Sequence, residues 1–255
     1  MSRTALITGA SAGLGAEFAR QLAARGVNLV LMARRTERLT ALATELSARH
    51  GIEASVIAAD LAQASDLDDL QERLGDTRID WLVNNAGSAG PDLLEEPDWQ
   101  LHRDYLELMM LSATRLCHTF IPQMQAQGFG RVINVSSIAG RVSQPRGGHY
   151  GPAKTYLIAL SEELALTLRG TGVHVTALCP GFTHTEFHES PELALMKAGT
   201  PKIMWYSVET VVREGLAAVD RGKSIRISGR IYRFIDPIMQ MPLLRPFIQS
   251  IRADR

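Results

Sequence analysis

The segment most indicative of the fold is Thr8-Gly9-Ala10-Ser11-Ala12-Gly13-Leu14-Gly15. It lies between a short apolar run, residues 4–8, and a segment with helical periodicity, residues 12–25. Glycines in such a turn let the backbone approach a pyrophosphate, and the free N–H groups of the helix N-terminus favour its negative charge. The alternative is a tight strand-to-helix turn that holds no ligand. The position favours a nucleotide site formed by Gly9, Ser11, Ala12, Gly13, Leu14 and Gly15.

Outward from this turn, apolar runs alternate with helical segments. The predicted strands are residues 4–8, 27–32, 54–58, 79–83, 131–135, 173–178 and 224–227. The predicted helices are residues 12–25, 37–50, 65–74, a long helix within 98–127, 150–168 and 208–220. This alternation implies right-handed crossovers and a parallel sheet covered on both faces. Because no internal repeat or low-complexity linker interrupts it, residues 1–255 are predicted to form one α/β domain.

The composition is that of an ordinary globular chain. With 255 residues, 45% of them hydrophobic, it can bury roughly 70–75% of its unfolded surface around a single core. The 27 basic and 27 acidic residues balance, so no net field attracts nucleic acid. Cys117 and Cys179 lie in apolar surroundings without metal-ligand spacing, which predicts reduced, buried thiols and no metal site. No long signal-type apolar region follows Met1, so we expect a cytoplasmic protein.

Ala33-Arg34-Arg35 follows the second predicted strand and indicates which nucleotide is bound. An NAD site places an acidic residue here, which accepts hydrogen bonds from the ribose hydroxyls. A carboxylate would repel a 2′-phosphate, whereas a guanidinium binds one through paired hydrogen bonds. Arg34 and Arg35 therefore favour NADP(H). The alternative is a solvated arginine pair that opens the next helix.

Tyr150 and Lys154 form a candidate acid/base pair. They are four residues apart on a predicted helix, so they lie on the same helix face. Free tyrosine has a pKa near 10, and a neighbouring ammonium lowers that pKa towards the range where a general acid or base works best. Taken alone, the pair also fits two solvated helix residues.

Five motifs now stand in order: the glycine-rich turn, Asn84-Asn85-Ala86-Gly87, Ser137, the Tyr150/Lys154 pair and Pro180-Gly181. With them the chain resembles the short-chain dehydrogenase/reductase family over residues 3–228. The resemblance implies a single, doubly wound Rossmann-like domain with a seven-stranded parallel sheet, a substrate loop at residues 186–207 and a tail at 229–255. Three short segments are similar to the NADP(H)-linked branch that includes ketoacyl and steroid reductases: V-L-M-A-R-R, N-V-S-S-I-A-G and L-C-P-G-F-T-H-T-E-F.

The resemblance implies further cofactor contacts. Asp60 and Leu61 would contact the adenine ring, and Thr185 would hydrogen-bond the nicotinamide carboxamide. The remaining positions implied to line the cofactor's path are Asn85, Ala86, Gly87, Pro180, Gly181 and Thr183. The alternatives are that the asparagines cap a strand end and hold a turn through side-chain hydrogen bonds, and that Pro180-Gly181 is an ordinary loop turn.

The resemblance also implies catalytic roles in carbonyl reduction. Ser137 would donate a hydrogen bond to the carbonyl oxygen, and Tyr150 would supply the proton. Lys154 would lower the pKa of Tyr150 and hold the nicotinamide ribose. Ser136 is the competing serine, but the family spacing to the tyrosine selects Ser137. His149 precedes Tyr150 and faces another way on the helix, so we treat it as structural or pocket-lining.

One position departs from the family pattern. Many members carry an asparagine in the long helix after the fourth strand, and its backbone carbonyl helps to hold a water that leads to the lysine. That position falls at about Met109, and no asparagine occurs between Asn85 and Asn134. Ser112, one turn later, is a candidate replacement. We expect an enzyme with an altered proton relay; the rival interpretation is a nucleotide-binding scaffold or regulatory protein.

Two apolar segments bear on substrate and partners. Residues 186–207 contain Phe187, Leu193, Leu195, Met196, Ile203, Met204, Trp205 and Tyr206. They predict either a short core helix or a lid over a lipophilic substrate such as a steroid, fatty-acyl or other hydrophobic ketone. Charges and prolines interrupt residues 231–251, which disfavours a membrane span and leaves peripheral membrane contact, substrate covering or a subunit interface open. The family resemblance implies a homodimer or homotetramer.

Overall fold

A computed structural model describes residues 2–143, 148–186 and 200–241. Its strands are β1 (Thr4–Thr8), β2 (Asn28–Ala33), β3 (Ala54–Ala58), β4 (Trp81–Asn84), β5 (Gly130–Val135), β6 (Val173–Cys179) and β7 (Ile225–Ile227). Within the described residues they form one sheet in the order β3-β2-β1-β4-β5-β6-β7, and every neighbouring pair is parallel. The seven-stranded parallel sheet expected from the sequence is confirmed.

Helices cover both faces of this sheet, because successive strand residues point to opposite sides. The helices are α1 (Gly13–Ala23), α2 (Thr36–His50), α3 (Leu70–Leu74), α4 (Trp99–Leu106), α5 (Ser112–Ala126), α6 (Tyr150–Thr167), α7 (Val208–Asp220) and α8 (Arg230–Met239). Ile7 of β1 packs in a core with Phe18 of α1, whereas the adjacent Leu6 packs in a second core with Phe120 of α5. Leu6 and Ile7 point to opposite faces and are both fully buried, which explains why β1 is apolar on both faces.

The strand order reverses between β2 and β4 at β1, and this switch point creates the site. Connections leaving β1 and β4 turn to opposite faces, so a crevice opens beyond their carboxyl ends. Thr8 ties the two connections together, since its Oγ1 accepts hydrogen bonds from the N–H groups of Asn85 and Ala86, both at 3.0 Å. Two motifs that are far apart in sequence therefore meet at one edge of the sheet.

Two predicted helices differ from the structure. The helix predicted over residues 65–74 is a 3₁₀ turn, Ala64–Leu67, followed by the short α3. The consecutive Asp68 and Asp69 interrupt it because aspartate has low helix propensity. The long helix within 98–127 is α4, a π-helical turn (Glu107–Leu111) and α5. Such π turns often mark functional sites.

The C-terminal tail contains a helix that the sequence patterns did not predict. α8 includes Pro237, which obscured the signal, and buries Tyr232 and Asp236 on one side while Phe234 is exposed on the other. No helix in the described part of the chain is both long and apolar enough to cross a bilayer.

Candidate active site

A cavity of about 1440 Å³ lies at the carboxyl edge of the sheet. Its wall runs from the turn after β1, past the ends of β2 and β3, to the segments after β4, β5 and β6. All of the predicted catalytic and cofactor residues line it except Gly15. The glycine-rich turn and the N-terminus of α1 form one end, and Ser137, Tyr150 and Lys154 lie together in the same cavity.

Gly15 supports the turn from behind, whereas the sequence grouped it with the cofactor contacts. A Cβ at Gly15 would strike the carbonyl oxygen of Gly9 and come within 2.6 Å of Asn85 Nδ2. That amide donates hydrogen bonds to the carbonyl oxygens of Thr8 and Gly9, at 2.9 and 3.2 Å. Gly15 is thus required for close packing of α1 on the turn. Asn85 both holds this turn and lines the cavity, so its two proposed roles are compatible.

The front of the turn fits a dinucleotide. Gly9 and Gly13 have φ of 64° and 54°, the left-handed region that favours glycine. A Cβ on Gly13 would lie 3.3 Å from Thr185 Cγ2, so the turn and the segment after β6 approach each other here. The absence of side chains leaves backbone and helix N–H groups facing a cavity large enough for an extended ligand.

Ser137 is held next to Tyr150 by the turn that follows β5. It caps a 3₁₀ turn (Ile138–Gly140), and its Oγ accepts a hydrogen bond from the N–H of Ala139 at 3.1 Å. Its side chain also hydrogen-bonds Tyr150. The neighbouring Ser136 is buried, and its hydroxyl donates to the carbonyl oxygen of Lys154 at 2.7 Å. Geometry therefore agrees with the choice of Ser137 over Ser136.

Lys154 is buried beside Tyr150. Its Nζ donates to the carbonyl oxygen of Val135 at 2.8 Å and lies 5.7 Å from the centroid of the Tyr150 ring. Burial of the ammonium lowers the pKa of Lys154 from 10.5 to about 8. This amine is therefore poised to titrate in a range close to neutral pH.

The pKa of Tyr150 contradicts the sequence-based expectation. Desolvation of the phenol by burial raises its pKa above the usual value, and the hydrogen bond with Ser137 opposes this rise. The expected lowering by Lys154 does not prevail, because the loss of water around the buried phenol has the larger effect on its pKa. A raised pKa keeps Tyr150 protonated at neutral pH.

Met109 lies in the π-helical turn at the position of the missing asparagine. A Cβ on Gly87 would be 3.1 Å from Met109 Sδ and 3.7 Å from Lys154 Nζ, so the thioether and the ammonium flank the same glycine. The backbone distortion is therefore present without an asparagine. Ser112 is a poor replacement, since its hydroxyl donates to the carbonyl oxygen of Leu108 at 2.7 Å and it does not line the cavity.

The two arginines after β2 line the cavity beside the glycine-rich turn. Arg34 is largely exposed, and its Nη1 is 3.7 Å from Asp60 Oδ2. Arg35 is held more firmly, since its Nε donates to Ser11 Oγ at 3.1 Å and its Nη1 to Glu186 Oε2 at 3.0 Å. Glu186 was not singled out from the sequence, because no local pattern pairs it with an arginine 151 residues away.

The segment after β6 closes the nicotinamide end predicted from the sequence. The N–H of Ile138 donates to the carbonyl oxygen of Pro180 at 2.9 Å, which ties this segment to the turn of Ser137. A Cβ on Gly181 would strike the ring of Tyr232, so only glycine fits between β6 and α8. Thr185 lines the cavity.

A pair of histidines adjoins the catalytic helix. His102 Nδ1 lies 3.0 Å from His149 Nε2, and His102 Nε2 lies 3.0 Å from the carbonyl oxygen of Glu96. Since a carbonyl only accepts, His102 carries its proton on Nε2 and accepts at Nδ1 from His149. Burial and the neighbouring His102 lower the pKa of His149. His149 does not line the cavity, which favours a structural role over a pocket-lining one.

The predicted substrate loop is described only in part. Phe187, Leu193, Leu195 and Met196 lie outside the described residues. Residues 202–204 form a 3₁₀ turn, and the Trp205 ring stacks on His184 and Phe182 with centroids 5.0 and 5.3 Å apart. This described part packs on the segment after β6.

Comparisons with known proteins agree with this geometry. A family model described as short chain dehydrogenase matches residues 3–193. Sulfoacetaldehyde reductase 2 of Chromohalobacter salexigens is 36% identical over 191 residues, which cover 73% of this chain and 75% of that protein. The 3-oxoacyl-(acyl-carrier-protein) reductase of Synechocystis sp. is 32% identical over 247 residues, covering 91% of this chain and 98% of that protein. A solved short-chain dehydrogenase from Sphingobium yanoikuyae in complex with NADPH is 30% identical, with a TM-score of 0.82 over 99% of this chain and 96% of that one.

Proposed function

Because the chain belongs to the short-chain dehydrogenase/reductase family, we propose that it interconverts a ketone and a secondary alcohol with NADP(H). The chain is an oxidoreductase, since its relatives are named as reductases. This sets aside the interpretation as a nucleotide-binding scaffold or regulatory protein. One observation carries the finer proposal: Ser137, Tyr150 and Lys154 share a cavity with the glycine-rich turn.

We assign the proton-transfer chemistry to these three side chains. NADP(H), when bound in this cavity, would supply the hydride that the carbonyl carbon requires. Tyr150 donates its phenolic proton to the carbonyl oxygen, and its raised pKa keeps that proton in place at neutral pH. Ser137 donates a second hydrogen bond to the same oxygen and stabilises the charge that develops there. The ammonium of Lys154 stabilises the phenolate left after proton transfer, and in alcohol oxidation that phenolate accepts the hydroxyl proton.

The choice of NADP(H) rests on the arginines after β2. Arg34 and Arg35 line the cavity at the end where a 2′-phosphate would lie, and a guanidinium binds phosphate through paired hydrogen bonds. The pyrophosphate would lie at the N-terminus of α1, and Thr185 would bind the carboxamide. The NADPH in the Sphingobium structure supports the same choice.

We propose a lipophilic ketone as the substrate. The apolar side chains that line the cavity include Leu108, Met109, Ile138, Val142 and Phe182. The names of the relatives include a small sulfonated aldehyde and a 3-oxoacyl group on a carrier protein, so these relatives supply contrasting test substrates and do not identify the substrate of this chain. The loop at residues 186–207 would cover the apolar substrate.

The test is a screen for NADPH consumption with the wild type and Tyr150→Phe side by side. The panel contains a ketosteroid, a bulky aryl ketone, a 3-oxoacyl thioester, sulfoacetaldehyde and a ketose. We expect the apolar ketones to be the best substrates, and Tyr150→Phe to lower kcat by about 10²–10⁴-fold because the proton donor is lost. NADPH binding by the variant should be unchanged. Retention of turnover by Tyr150→Phe would contradict the assigned acid, and a preference for the ketose or sulfoacetaldehyde would contradict the lipophilic substrate.

We also propose that the whole chain acts as one domain within a homodimer or homotetramer. The π-helical turn and α6 expose Leu111 and Leu166, and burial of such side chains favours association. Light scattering at working concentrations should give the mass of a dimer or tetramer. A monomer would contradict this assignment.

A further inference from the structure

Glu186 lines the cavity near the glycine-rich turn and bridges two arginines. Its Oε2 accepts a hydrogen bond from Arg35 Nη1 at 3.0 Å, and its Oε1 accepts one from Arg38 Nη1 at 2.8 Å. Arg35 is anchored at the same time on the glycine-rich turn through Ser11. One carboxylate from the segment after β6 thus joins the turn after β1 to the start of α2.

The Glu186 carboxylate is ionised under ordinary conditions. Hydrogen bonds from Arg35 and Arg38 hold the pKa of its carboxyl below the usual value. Both of its oxygens are engaged, so it takes from each arginine an N–H donor that a phosphate oxygen would otherwise accept. Arg34, whose guanidinium makes only the longer 3.7 Å contact with Asp60, is the arginine left most accessible at this end of the described cavity.

We propose that Glu186 is a specificity-determining residue that competes with the 2′-phosphate of NADP(H) for Arg35 and Arg38. The inference rests on the proposed function, because it assumes that the 2′-phosphate binds at this end. The phosphate and the carboxylate carry the same sign of charge and need the same donors, so NADPH must displace Glu186. NADH carries a ribose hydroxyl instead, which can donate to a carboxylate in the way that NAD sites use.

The size of the effect follows from exposure. The side chains of Glu186, Arg35 and Arg38 are 51%, 45% and 53% exposed, so water screens both ion pairs. An exposed ion pair of this kind is equivalent to a factor of about two to five in an equilibrium constant. Loss of both pairs should therefore tighten NADPH binding by about five- to tenfold and leave NADH binding within about twofold.

The experiment measures Kd for NADPH and for NADH by fluorescence titration in the wild type, Glu186→Gln and Glu37→Gln. Glu37 is a matched control, since it lies in the first turn of α2 between the two arginines and makes no ion pair within the described residues. We expect Glu186→Gln to tighten NADPH selectively, and Glu37→Gln to change it by less than about twofold because only a screened charge is removed. A similar gain in both variants would mean a general charge effect and would overturn competition for the arginines. Weaker NADPH binding in Glu186→Gln would mean that the carboxylate organises the arginines, and would overturn it as well.

Arg35→Ala separates failure of this inference from failure of the proposed function. If the enzyme uses NADH, the wild type shows no preference for NADPH. If the 2′-phosphate binds elsewhere, the preference for NADPH remains but Arg35→Ala does not weaken NADPH selectively. If the cofactor assignment holds and competition does not, Arg35→Ala weakens NADPH selectively while Glu186→Gln has no effect on it. Thermal unfolding of each variant confirms that the fold is retained.

Discussion

Asp236→Asn should destabilise the protein and slow its turnover. Asp236 lies on α8, and its carboxylate accepts two hydrogen bonds from Arg141, from Nε at 2.9 Å and from Nη2 at 2.7 Å. Arg141 ends the 3₁₀ turn that begins at Ser137, so the ion pair connects the C-terminal helix to the proposed oxyanion donor. Loosening this turn should lower kcat more than it raises KM, because Ser137 acts on charge that develops in the transition state.

The magnitude follows from the burial of the two partners. Removing one member of a buried pair costs about 3–5 kcal/mol, since the other charge is left without compensation. The Asp236 side chain is 5% exposed, but that of Arg141 is 24% exposed, so water can partly solvate the guanidinium left behind. We therefore expect a loss of about 2 kcal/mol in the free energy of unfolding. For a chain of this size the corresponding fall in Tm is about 4–8 °C.

Urea unfolding and steady-state kinetics measure both effects, with Asp68→Asn as the control. Asp68 forms an ion pair of the same 2.7 Å length with Arg115, but its side chain is 69% exposed. That variant should lose less than about 1 kcal/mol because the pair is screened by water. The reasoning would be refuted if Asp236→Asn lost no more stability than Asp68→Asn. If Asp236→Asn were destabilised but its kcat were unchanged, the ion pair would not be needed to position Ser137.

Two further predictions concern Lys154 and its surroundings. The folded-state pKa of Lys154, about 8, lies below the ordinary 10.5, so between these values the unfolded chain holds a proton that the folded protein has lost. The free energy of unfolding of the wild type should therefore rise by about 3 kcal/mol relative to that of Lys154→Met as pH increases from 8 to 10.5. Urea unfolding at several pH values measures this difference. The pKa shift would be contradicted if the free energies of unfolding of the two proteins changed equally with pH. Met109→Asn should shift the pH–rate profile of reduction and raise turnover by up to about tenfold, because it places a polar side chain near the ammonium. Identical profiles and turnover would remove the argument for an altered relay.

Much of the fold was predictable because it depends on local chemistry. The unbroken apolar run of β1, the glycine-rich turn and the spacing of Tyr150 and Lys154 each require only neighbouring residues to be interpreted. The π-helical turn at Met109 was not predicted, since a backbone distortion leaves no fixed signature once the asparagine is absent. α8 was missed because Pro237 lies inside a helix that tertiary contacts of Tyr232 and Asp236 hold in place.

The α/β fold, the family and the set of side chains that can carry the chemistry follow from patterns in the amino-acid sequence. How those side chains behave depends on the packing of distant parts of the chain. Burial raises the pKa of Tyr150, although the sequence predicted that Lys154 would lower it, because desolvation depends on everything packed around the phenol. Gly15 packs behind the turn, and Glu186 occupies donors on Arg35 across 151 residues of chain. Neither arrangement has a local signal, since each arises where separate strands end at one edge of the sheet.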